Sequence, residues 1–127
     1  MSGTPDLDAF GTEFTAEARD TSIRMLEVLV EGKQGSEEDR RIANLLLQMS
    51  SVEREITIHL VRRFIDTSLH NVLWMIERSD RFDLVARSED GQEFRSLKEQ
   101  SDGLSAEPYT EEGWFARHSA YGDAVVE

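Results

Sequence analysis

The sequence predicts a mainly α-helical domain: three principal helices in a bundle-like arrangement, a small C-terminal β-hairpin, and a partly irregular aromatic tail. Three observations carry this expectation. Apolar residues recur at helical spacing through three long stretches. Hydroxyl-led starts and glycine stops separate those stretches. Near the end, Asp90-Gly91 sits between two runs that alternate in polarity. At 127 residues and 14.5 kDa the chain has the length of one domain.

Residues 1–11 contain Gly3, Pro5 and Gly11 without sustained periodicity, which predicts a flexible lead-in before a single helical domain over 12–127. Thr12 or Thr15 can cap a first helix over about 12–31, with Phe14, Ala18, Met25, Leu26, Leu29 and Val30 on its apolar face. Gly32 and Gly35 stop it, because glycine accepts the left-handed conformation at a helix end. Ser36 followed by Glu37, Glu38 and Asp39 starts a second helix over 36–49, a cap with acids in the positive first turn. Ser50 and Glu53 have capping-box spacing, although no proline or glycine forbids one helix over 37–78. A break is the better reading, since a rod of about 60 Å has little use in a compact domain.

The third helix, 51–78, is apolar over most of its circumference, and so greasy a helix is expected near the middle of the bundle. Alternation over 82–97 about the Asp90-Gly91 turn predicts the hairpin. The tail, 98–127, holds Tyr109, Trp114, Phe115 and Tyr121 among acids.

Composition narrows the function classes. The absence of cysteine excludes disulfides and thiolate metal sites. The start lacks the basic and apolar regions of a secretory signal, and no run of 18 apolar residues exists, so a cytoplasmic protein without membrane association is expected. No Gly-rich phosphate loop or nucleophile elbow is present, and no cofactor is expected. The net charge of −12 is uneven: residues 1–39 and 88–127 each hold ten acids and three bases, whereas 40–87 hold six acids and eight bases. Such a field repels nucleic acid directly and favours a basic protein partner.

One polar stripe interrupts the third helix. Glu55, His59, Asp66, His70 and Glu77 fall within about 60° of arc at 100° per residue. Carboxylate and imidazole four residues apart, as in Glu55/His59 and Asp66/His70, can share a metal ion. A solvated face with local ion pairs explains the same spacing without metal. Arg63 and His70, six residues between them, resemble the arginine–histidine motif of the HEPN ribonucleases, which are small dimeric helical bundles. That resemblance implies His70 as general acid–base and Arg63 as the stabiliser of transition-state phosphate charge. Phe64 departs from it, since the family usually has a polar residue after the arginine.

On the first helix Glu13, Glu17, Asp20, Glu27 and Glu31 fall within about 80° of arc if every residue turns by 100°. A row of carboxylates at such intervals can occupy a basic groove in the way nucleic-acid phosphates do. With Trp114, Phe115 and Tyr121 as aromatic anchors, these acids form the expected contact surface for a basic partner, in an inhibitor, immunity-type, mimic or adaptor role. The wide apolar arc of the third helix leaves a homodimer, or a structural subunit that pairs only with itself, as a further expectation.

Overall fold

A computed structural model describes residues 4–32 and 35–121; residues 1–3 of the expected lead-in and 122–127 of the expected tail lie outside that description. Helix starts earlier than the sequence suggested. Thr4, extended at φ −70° and ψ 164°, caps α1 (Pro5–Glu13) by accepting from the Leu7 amide. Pro5 at the first helical position and Asp6 in the first turn complete an ordinary start. Gly11 belongs to this helix and not to a flexible lead-in. It is buried against Trp114, where a Cβ would lie 2.4 Å from the indole ring.

From α1 the chain passes without interruption into a π-helical segment, Phe14–Asp20, and then into α2, Thr21–Glu31. Sequence spacing supplies the reason. Leu7, Gly11, Thr15, Arg19 and Ile23 are all buried and all four residues apart. In an α-helix each such step drifts about 40° around the axis, so five positions would wander off one face. Wider i→i+5 turns, on the order of 80° per residue, turn the drift back and hold all five inward. Gly32 then ends α2 at φ 69°.

The second and third helices begin as expected. Ser36 caps α3 (Glu37–Leu47) in a capping box with Asp39, and Ser50 caps α4 (Ser51–Arg78) in one with Glu53. The break at Ser50 stands. The hairpin is shorter than 82–97: β1 (Val85–Arg87) pairs antiparallel with β2 (Phe94–Ser96), Ala86 opposite Arg95. Its turn is tied by the Asp90 carboxylate, which accepts from Ser88 Oγ at 2.6 Å and from the Gln92 amide at 3.0 Å. Short α5 (Leu97–Gln100), a 3₁₀ turn (Leu104–Ala106) and α6 (Trp114–His118) give the tail its structure.

The core gathers Leu7, Leu73, Leu97, Leu104, Trp114 and Phe115, with Phe10 and Phe14 against the indole. Among the described residues Leu73 is the one α4 side chain that is fully enclosed. The sequence placed α4 near the middle of a bundle, and the fold contradicts this: the helix is packed on one side only. The 3₁₀ turn, the π segment and α2 cover the polar-striped side, while Ile56, Leu60, Phe64, Val72 and Met75 remain 49–63% exposed on the other.

Candidate functional site

Arg19 is the hinge of the inward arrangement. Fully buried, it donates from Nε to Asp66 Oδ1 at 2.8 Å and from Nη2 to Asp66 Oδ2 at 3.1 Å. The fork geometry matches a carboxylate bidentately, which makes burial of both charges tolerable. Its guanidinium also lies 4.4 Å from the centre of the Phe115 ring and donates to Ser119 Oγ. The next residue, Asp20, accepts from Ser119 Oγ at 2.6 Å and from the Ala120 amide at 2.9 Å. Two adjacent charges of the π segment thus clasp both α4 and the chain beyond α6.

The C-terminal part of the polar stripe is engaged similarly. Glu77 accepts from the Ser105 amide at 2.8 Å and from its hydroxyl at 3.0 Å. His70 Nδ1 lies 3.2 Å from the Ser105 carbonyl oxygen, and Tyr109 donates its hydroxyl to the Asp66 carbonyl. Burial, with the nearby Asp66 carboxylate, pushes the Tyr109 phenol far above its ordinary range, so it stays a donor. Arg63, Thr67, His70, Ser105, Tyr109 and Thr110 line an open pocket of about 450 Å³ at this seam.

The metal reading finds little to build on. Asp66 is spent on Arg19, and His70 turns Nδ1 to a carbonyl. Glu55 is exposed and His59 half-buried on the turns before them. Among the described residues no group of three or more histidine, aspartate or glutamate side chains converges to hold an ion. No helix among them is long and apolar enough to cross a membrane.

The expected contact surface is rearranged. Glu13, Glu17, Glu27 and Glu31 are exposed, but Asp20 is buried and satisfied internally. The π segment also rotates Glu27 and Glu31 away from Glu13 and Glu17, so the five acids do not form one column. Trp114 and Phe115, each 1% exposed, are core and not surface anchors. Tyr121 is half-buried and donates to Glu27 Oε1 at 3.0 Å, a bond that raises its pKa. Further carboxylates are used within the molecule: Asp6 by Arg95 at 2.7 Å and Asp8 by Arg117 at 2.6 Å.

Residues the sequence did not single out, Arg19, Ser105 and Ser119, do most of the joining. Arg19 had a signal. It is a charge standing in the Leu7-Gly11-Thr15-Ile23 series, where a buried partner is the usual reason. Ser105 and Ser119 had none, since neither stands in a stretch with sustained periodicity. Comparison with protein-family models, with curated proteins and with solved structures finds no match to this chain.

Proposed function

We propose that this chain is a non-enzymatic acidic binding protein whose partner is a basic protein, met in the cytoplasm. The observation that carries the reading is the state of Glu13, Glu17, Glu27 and Glu31. All four are exposed, and among the described residues none forms an ion pair. With a net charge of −12, these carboxylates are on hand to steer a basic surface into encounter. Loss of Asp20 from the row removes support for imitation of evenly spaced phosphates, so an inhibitor, immunity-type or adaptor role stands ahead of a mimic. Capture from the native cell, with mass spectrometry, supplies the partner. Its association rate should then fall at least tenfold between low and physiological-to-high salt, and fall again in a variant carrying Gln at the four positions. A rate unchanged by salt contradicts the reading.

The pocket favours a second reading. Arg63 and His70 line it together, beside Tyr109. In the tautomer that donates Nδ1–H to Ser105, the lone pair of His70 is on Nε2, as a general base needs. RNA cleavage abolished by His70→Ala and Arg63→Ala would support an HEPN-like ribonuclease. An intact RNA substrate after incubation with the unaltered chain would dismiss it.

A further inference from the structure

The pocket at the seam of α4 and the 3₁₀ turn is walled by side chains whose donors the fold leaves unused. Arg63, Thr67 and Thr110 make no side-chain hydrogen bond or ion pair among the described residues. His70 donates from Nδ1, because the Ser105 carbonyl at 3.2 Å can only accept, so the lone pair of the neutral ring lies on Nε2. The one carboxylate in the wall, Asp66, is already held bidentately by Arg19. Tyr109 gives its hydroxyl to the Asp66 carbonyl, which leaves the pocket its ring.

We propose that this pocket binds a small monocarboxylate with a hydroxyl or N–H at its far end and a flat body lying against Tyr109. Four observations set that class. First, the Arg63 fork matches a carboxylate, and the Thr67 and Thr110 hydroxyls add donors beside it. Second, Arg63 is the one arginine or lysine in the lining, so the walls answer a single negative charge. In a chain of net charge −12 the second charge of a dianion would find only repulsion. Third, the Nε2 lone pair of His70 calls for a donor, which a bare anion lacks. Arg63 and His70 stand about 10 Å apart along the helix axis, a span that a one-ring molecule covers with a hydrogen bond at each end. Fourth, the volume of about 450 Å³ is that of a small-molecule site. The inference goes beyond both readings above and rests on neither, since binding here needs no RNA cleavage and no acidic surface.

Amide NMR of the full chain, titrated with 4-hydroxybenzoate to about 10 mM at neutral pH, tests it. Saturable shifts are expected at Thr67, His70, Ala106 and Thr110. Benzoate, without the hydroxyl, and phenyl phosphate, with a second charge, should each bind at least threefold more weakly. The uncharged 4-hydroxybenzyl alcohol and the Arg63→Ala variant should each show at least a tenfold loss of affinity, the variant with circular dichroism unchanged. Thr110→Val provides a second variant, with at least a threefold loss, should Arg63→Ala fail to fold. No saturable shift at these positions, a control ligand that binds as tightly as 4-hydroxybenzoate, or undiminished binding in the folded variant overturns the proposal. RNA cleavage is read in a separate assay, so either result there leaves these outcomes as they stand.

Discussion

The two sides of α4 invert the usual rule. One side presents Asp66, His70 and Glu77 to the rest of the fold, each with a partner, while the other presents Ile56, Leu60, Phe64 and Met75 to solvent. Polarity alone would assign the sides the other way round. On the inward side Asp66, His70 and Glu77 are each answered: a bidentate arginine for Asp66, a serine amide and hydroxyl for Glu77, and a carbonyl for His70. The outward side leaves large apolar side chains in solvent, the kind of patch that marks interaction surfaces. The difference teaches that the partners a side chain finds, and not polarity alone, decide which side of a helix turns inward.

The sharpest way to break this comparison is at Arg19. Arg19→Met strands the Asp66 carboxylate beneath the π segment and should cost about 3–5 kcal/mol in denaturant unfolding. Arg19→Met with Asp66→Leu, which removes both charges, should recover most of that. If the single and double variants are equally destabilised, the pair is not what fixes the inward side. Gly11→Ala comes next, because its Cβ would press on the Trp114 ring: about 1–3 kcal/mol, read from the same curves.

Smaller effects sharpen the contrast. Ser50→Ala removes the cap that separates α3 from α4 and should cost about 1 kcal/mol. Phe64→Glu on the outward side, where the ring is 60% exposed, should change stability by no more than about 0.5 kcal/mol in the same unfolding curves. Acid should act mildly through the N-terminus. Hydrogen bonding to Arg95 and to Arg117 holds the Asp6 and Asp8 carboxyls below 3.8. The folded chain therefore binds fewer protons than the unfolded chain, and the stabilisation is present above that pH and lost as pH falls through the depressed values. Melting temperatures between pH 5 and 3 should fall less steeply in the Asp6→Asn/Asp8→Asn variant.

Local signals were legible where one or two residues decide the backbone. Ser36 with its acids, Ser50 with Glu53, Gly32 at positive φ and Asp90-Gly91 each act within four residues, and each appears as expected. Signals that depend on a distant partner were not legible. Gly11 read as part of a flexible lead-in, because Trp114, which needs its missing side chain, lies far along the chain. Trp114 and Phe115 read as anchors for a partner, and it is their packing against Phe10 and Phe14 that makes them core. The π segment escaped because hydropathy was mapped at a constant 100° per residue, which also produced the apparent acidic column. On α4 the polar stripe was legible as a stripe, but its direction depended on Arg19 and Ser105.

The most direct test of the inverted helix uses the absence of cysteine from the chain. Ser68→Cys, on the exposed side of α4, and Leu73→Cys, on its enclosed side, would each be treated with a monofunctional maleimide under native conditions. The account predicts rapid labelling of Ser68→Cys and protection of Leu73→Cys until denaturant is added. Equal labelling rates at both positions, or protection of Ser68→Cys, would contradict it.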